Sequence, residues 1–108
     1  MLNAEEIYHA VLQCGEEWAD RKSAFEALDD TTKSVLADIA LGFMDGKTSK
    51  AESELRALSS RPYREHLAEV KLARRAWLVA QVKYDSIKML AELRRTQESS
   101  KRAEMMLR

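Results

Sequence analysis

The sequence predicts an all-α protein in which three shorter helices precede one long C-terminal helix. Residues 63–108 contain no proline or glycine and are rich in Ala, Leu, Glu, Lys, Arg, Gln and Met, which favour helices. The whole chain has one proline and three glycines, too few to supply the turns of a β fold. A helix over residues 62–108 would reach roughly 70 Å, more than a globule of 108 residues needs. We therefore expect an oligomeric helical bundle or coiled coil.

The first two helices are predicted from a capping residue and from apolar spacing. Asn3 followed by Glu6 is typical of a helix start, and the apolar stripe that follows continues to residue 28. Gly15 lies inside this stretch and predicts either a bend or a close approach by another side chain. Residues 29–32 form a predicted turn, and apolar residues at 35, 36, 39, 40 and 43 then predict a second helix. Asp45-Gly46 ends this helix, with Gly46 as the left-handed stop.

The third and fourth helices are marked by a capping box and by the single proline. Ser49 followed by Glu52 is a capping-box pattern and predicts a short helix that ends near Leu58. Residues 59–62 then break the chain, because Pro62 is tolerated only in the first turn of a helix. We find no internal repeat and no long linker. One helical domain is expected over residues 1–108, with an acidic part at 1–60 and a long basic helix at 61–108.

The last helix carries two apolar stripes that repeat every seven residues. The first stripe includes Tyr63, Val70, Trp77, Tyr84 and Ile87, and the second includes Leu72, Val79, Val82, Met89 and Leu93. An offset of two residues turns a helix by about 200°, so the stripes lie on nearly opposite faces. The rest of the chain can cover one face, and a second copy is the expected cover of the other. These ten residues form the predicted oligomer interface.

Composition predicts a soluble cytoplasmic protein without a membrane anchor. The single cysteine, Cys14, excludes an internal disulfide and suits a reducing compartment. The first residues contain early acids and lack the basic start of a secretory signal. The most apolar run, residues 35–44, is interrupted by Asp38 and is too short to span a bilayer.

The net charge of zero conceals an acidic first half and a basic second half. Residues 1–60 hold six Lys/Arg against twelve Asp/Glu, and residues 61–108 hold twelve against six. Two adjacent rows of the last helix gather the candidate contacts to an anion or an acidic partner: Arg74, Lys88, Arg94, Arg95, Lys101, Arg102 and Arg108. Interleaved acids offer the alternative of ordinary surface ion pairs, such as Glu98 with Arg102. No aromatic follows Tyr84, so nucleic-acid binding is expected to be weak.

The sequence contains no convincing site for catalysis, a cofactor or a metal. Residues 42–48 end like a phosphate-binding loop, but only three residues separate the glycines and the segment follows a helix. His9, Cys14 and His66 match no zinc spacing; we expect Cys14 in the core and His66 partly exposed. Neither an enzyme nor a small-molecule substrate is therefore predicted, although an oligomeric interface could build a site that one chain does not show.

The second and third helices could instead form a helix-turn-helix. The third helix would then present Lys47, Lys50 and Arg56 to DNA. It would also present Glu52 and Glu54, which phosphates repel. The connection between the two helices is longer than the usual turn, so this is the less favoured interpretation.

The second half of the chain resembles small helical proteins encoded by tailed phages and prophages. The resemblance is carried by residues 63–67, 83–85, 91–98 and 102–105, with the sequences YREHL, KYD, AELRRTQE and RAEM. Genes for such proteins often lie in early regions near recombination or replication genes. The resemblance implies a phage accessory protein that works through binding, and it assigns no catalytic or ligand residue. We expect a non-catalytic interaction protein that acts in DNA metabolism or on a host factor, with direct DNA binding by the basic helix as the alternative.

Overall fold

A computed structural model describes residues 2–107, and in this range the chain is all-helical without strands. The four helices are α1 (Ala4–Asp30), α2 (Thr32–Phe43), α3 (Lys50–Leu58) and α4 (Arg61–Leu107). The prediction of three shorter helices followed by a long one is therefore confirmed. In the described range, the helices lack an apolar stretch that could cross a membrane.

Side-chain caps fix the starts of two helices as predicted. The Asn3 Oδ1 atom accepts the backbone N–H of Glu6 at 2.8 Å, and Ser49 Oγ accepts that of Glu52 at 3.1 Å. The reciprocal hydrogen bond of a capping box, from the Ser49 backbone N–H to the Glu52 carboxylate, is not seen among the described residues. The Glu52 carboxylate instead accepts from Arg56 Nη2 at 3.2 Å.

The turn predicted between the first two helices is much shorter than expected. α1 continues to Asp30, and Thr31 alone separates it from α2. The Thr31 backbone N–H and hydroxyl both donate to the carbonyl oxygen of Leu28, at 3.2 and 2.7 Å. The Thr31 side chain thus bonds locally, and the helical backbone is interrupted at this one residue.

Asp45 organises the connection between α2 and α3. α2 ends at Phe43, and Met44 is already extended, so Gly46 is not the residue that stops the helix. Gly46 does adopt the predicted left-handed conformation, with a φ of 82°. The Asp45 Oδ1 atom accepts from the backbone N–H of Lys47, and from the N–H and hydroxyl of Thr48, at 2.8–2.9 Å. The connection is therefore a closed polar turn.

The chain divides into two compact units, which do not coincide with its acidic and basic halves. One unit is contiguous, from Arg21 to Trp77, and contains α2, α3 and the adjoining parts of α1 and α4. α2 and α3 pack closely through small buried residues, Ala40, Ser53 and Ala57. In the same unit the Phe25 and Trp77 rings stack, with centroids 5.4 Å apart.

His66 is buried in the contiguous unit, and the expectation of a partly exposed side chain was wrong. Its side chain is about nine-tenths buried, and Nε2 lies 2.9 Å from the hydroxyl oxygen of Thr32. The hydrogen bond links the start of α4 to the start of α2. This polar partner is what makes burial of an imidazole tolerable.

The other unit joins residues up to Asp20 with residues from Leu78 onward. The two helical segments run antiparallel: Trp18 packs on Tyr84 with ring centroids 6.0 Å apart, whereas Arg94 donates to the carbonyl of Leu2. Gly15 lies directly under the Tyr84 ring, and a Cβ at this position would be 3.2 Å from Tyr84 Cζ. α1 continues through Gly15, so the close approach is the alternative that the structure supports.

Candidate interaction surface

The first apolar stripe of α4 packs within its own chain. Tyr63, Val70, Trp77, Tyr84 and Ile87 are all half-buried, and Ala80 on the same side is 3% exposed. Trp77 stacks on Phe25 in the contiguous unit, and Tyr84 packs on Trp18 in the other. These members of the predicted oligomer interface are therefore at least partly covered by residues of their own chain.

The second apolar stripe of α4 is open to solvent. Its members Leu72, Val79, Val82, Met89 and Leu93 are between 42% and 68% exposed, and we call these five residues the exposed face of α4. Single exposed apolar residues are common on protein surfaces, but five at heptad spacing on one helix are not scattered. The exposed face of α4 is a regular apolar surface and is a candidate for docking another helix.

Two of the predicted anion contacts are already engaged within the chain. Lys88 Nζ lies 3.4 Å from Asp85 and 4.2 Å from the centroid of the Tyr84 ring. Arg94 donates to the Leu2 carbonyl, and its Nε lies 3.6 Å from the Glu98 carboxylate. Both cations would have to give up these contacts to bind a phosphate.

The remaining predicted contacts are exposed and available. In the described part of the chain, Arg74, Arg95, Lys101 and Arg102 have no carboxylate within 4 Å. The expected pair of Glu98 with Arg102 is not formed, because Glu98 pairs with Arg94 one turn earlier. Arg108 lies outside the described residues. Three of these four exposed cations lie between residues 95 and 102.

Each compact unit also has a shallow apolar groove. In the contiguous unit a groove of about 300 Å³ runs between α2 and α3, and is lined by Lys33, Leu36, Ala37, Ala40, Leu41, Met44, Lys50, Ser53 and Glu54. In the other unit a groove of about 310 Å³ is lined by Ala4, Ile7, Tyr8, Val11, Ala91, Arg94, Arg95 and Glu98. Both are open apolar clefts between two helices without convergent catalytic groups.

The histidines and the cysteine do not converge on a metal site in the described residues. Residues 2–107 contain no group of three His, Cys, Asp or Glu side chains placed to hold a metal ion. His66 is turned to Thr32, and His9 lies 3.8 Å from Glu5 on the exposed side of α1. Cys14, which was expected in the core, is only half-buried. The arrangement of the described residues offers helix faces and charges for binding.

Comparison with protein-family models, with curated proteins and with solved structures found no match. The surface described above therefore carries the functional argument. Two features of this surface were not predicted from the sequence. They are the groove between α2 and α3 and the hydrogen bond from Arg94 to the Leu2 carbonyl. The small residues Ala37, Ala40 and Ser53 were the available signal for the groove, because small side chains leave space between helices. The contact with Leu2 had no sequence signal.

Proposed function

We propose that this chain is a non-catalytic interaction protein that assembles with itself through the exposed face of α4. The observation that carries the proposal is the division of the two stripes of α4, one packed within the chain and one solvent-exposed over five large apolar residues. Removing such side chains from water stabilises an interface by about 25 cal/mol per Å² of apolar surface, so association through this face is favourable. A second copy is a self-complementary partner because each copy brings the same face.

The partner of the assembly is proposed to be a protein in the cytoplasm of a phage-infected or prophage-bearing cell. The resemblance of the second half to phage-encoded helical proteins supports a role in DNA metabolism or in the control of a host factor. The exposed cations Arg95, Lys101 and Arg102 favour an acidic surface on this partner.

Direct DNA binding is the second candidate, and the exposed cations Arg74, Arg95, Lys101 and Arg102 favour it. Duplex DNA binding needs several phosphate contacts, and Lys88 and Arg94 are drawn into contacts with Asp85 and Glu98. This leaves a short basic strip with acids beside it. DNA binding therefore ranks below protein binding.

Self-association is tested by placing a charge on the exposed face. Met89→Glu should convert an oligomer to a monomer in light scattering at micromolar concentration, because the carboxylate would have to be desolvated at the interface. Leu55→Glu on α3 is the matched control, since Leu55 is 66% exposed and Met89 is 64% exposed. The control should keep the mass of the unmodified chain, and circular dichroism should show equal helix content. A monomeric mass for the unmodified chain would refute the proposal.

A further inference from the structure

The exposed face of α4 is part of a heptad pattern that also contains two polar positions. Leu72, Val79 and Leu93 occupy one core position of the heptad, and Val82 and Met89 the other. Ser86 occupies the same core position as Leu72, Val79 and Leu93. Arg75 occupies the same core position as Val82 and Met89. Both polar side chains are exposed. A helix that docks here has to accommodate a guanidinium and a hydroxyl as well as the apolar residues.

We infer that the second copy lies antiparallel along the exposed face of α4, with Val79 of each copy against Val82 of the other. This inference rests on the proposed self-association and specifies its geometry. The alignment also sets Leu72 against Met89 of the other copy, so that apolar side chains face apolar side chains. Because a two-fold axis relates the copies, each of these contacts occurs twice.

The two polar positions fit the same alignment. Arg75 falls opposite Ser86 of the other copy, where a small side chain leaves room for the long arginine to reach solvent. A parallel pair would instead place Arg75 opposite Arg75. Like charges facing each other across an interface repel, and a buried guanidinium without a partner is costly.

Neighbouring antiparallel alignments are less favourable. A shift by one heptad towards the C-terminal end brings Asp85 opposite Asp85 and Lys83 opposite Lys83 at the edges of the contact. A shift by one heptad the other way sets Arg75 against Val79. The inferred alignment avoids both problems.

Charges beside the apolar layers support this alignment. Lys71 of one copy lies next to Glu92 of the other, and the symmetry repeats the pair. Both side chains are exposed, and neither is within 4 Å of an opposite charge in the described part of the chain. The two unpaired charges of a single chain thus become two opposite-charge pairs in the dimer.

Disulfide cross-linking distinguishes the orientations. With Cys14 replaced by serine, the double variant Leu72→Cys/Met89→Cys should form a covalent dimer on mild oxidation, and each single variant should not. Seventeen residues of one helix span about 25 Å, and a disulfide needs Cα atoms within about 7 Å. Neither a bridge within one chain nor a bridge between identical positions of antiparallel copies is therefore feasible.

Charge reversal gives a second measurement that requires no disulfide. Lys71→Glu or Glu92→Lys alone should weaken self-association about tenfold in sedimentation equilibrium, because each creates two like-charge contacts. The combined variant should restore the affinity of the unmodified chain. Efficient cross-linking of the single cysteine variants would show a parallel pair and overturn the inference, as would an oligomer with neither cross-linking nor rescue. In both cases self-association itself would stand, whereas a monomeric unmodified chain would overturn both proposals.

Discussion

At the residue scale, the contact between Gly15 and Tyr84 shows why a glycine is found in the middle of a 27-residue helix. Glycine costs up to about 1 kcal/mol relative to alanine in a helix interior. A Cβ at position 15 would lie 3.2–3.3 Å from three atoms of the Tyr84 side chain, closer than ordinary van der Waals contact. The helix accepts a weak position because the missing side chain leaves space for the aromatic ring.

Alanine substitution at two glycines isolates this contact. Gly42→Ala in α2 should raise the free energy of unfolding by about 0.5–1 kcal/mol, since a Cβ there meets nothing within 4 Å. Gly15→Ala should fall short of that gain by at least about 0.5 kcal/mol, because the Tyr84 ring has to move. Chemical denaturation measures both values. Equal gains at the two positions would show that the ring does not constrain Gly15. As a control, adding Tyr84→Ala to both variants should make the gains from the two alanine substitutions equal.

At the element scale, the α2–α3 connection depends on one carboxylate. The backbone N–H of Lys47, followed by the hydroxyl and N–H of Thr48, holds the pKa of Asp45 below its ordinary value of 3.8. A lowered pKa in the folded state means that the charged form stabilises the fold. This contribution is fully present above pH 3.8 and is lost as the pH falls through the lower, folded-state pKa of Asp45.

Titration followed by NMR should detect this shift directly. The Asp45 carboxyl carbon should titrate below 3.8. Thr48→Val removes the hydroxyl and keeps both backbone donors, so it should raise the Asp45 pKa only part of the way towards that value. An Asp45 pKa at or above 3.8 in the unmodified chain would contradict the closed turn.

The helices could largely be predicted from the sequence, because their signals are local. Asn3 and Ser49 cap helices through their own neighbouring backbone, and the heptad spacing separates the two faces of α4 without knowledge of the fold. The burial of His66 could not be predicted, because its partner Thr32 is 34 residues away. The identity of the solvent-exposed stripe was also undetermined, since both stripes are apolar and only the packing of α1 decides between them.

At the scale of the whole molecule, the charge distribution limits nucleic-acid binding. Within the two predicted anion-binding rows of α4, four cations have no carboxylate within 4 Å among residues 2–107: Arg74, Arg95, Lys101 and Arg102. The chain as a whole is neutral. Each phosphate contact on duplex DNA lowers the logarithm of the binding constant by roughly 0.9 per logarithmic unit of salt. Three or four contacts therefore give weak binding that salt removes easily.

Fluorescence anisotropy with a labelled duplex should show this behaviour. We expect binding at low salt that disappears near 0.15 M, where exposed charges are screened beyond about 8 Å. Replacing Arg94, Arg95, Lys101 and Arg102 by glutamine should abolish the low-salt signal while circular dichroism stays constant. A submicromolar complex at about 0.15 M salt would instead make DNA binding the leading function.

The arrangement of the two units along the chain has a consequence for the order of folding. The unit from Arg21 to Trp77 is contiguous, so its contacts join residues that are at most 56 positions apart. The other unit closes the chain over a far longer loop, since Leu2 and Arg94 are 92 residues apart. Loop closure of this length costs entropy before any contact compensates for it. The contiguous unit should therefore fold first, and until the second half of α4 packs against them the first turns of α1 lack the contacts that stabilise them as a helix.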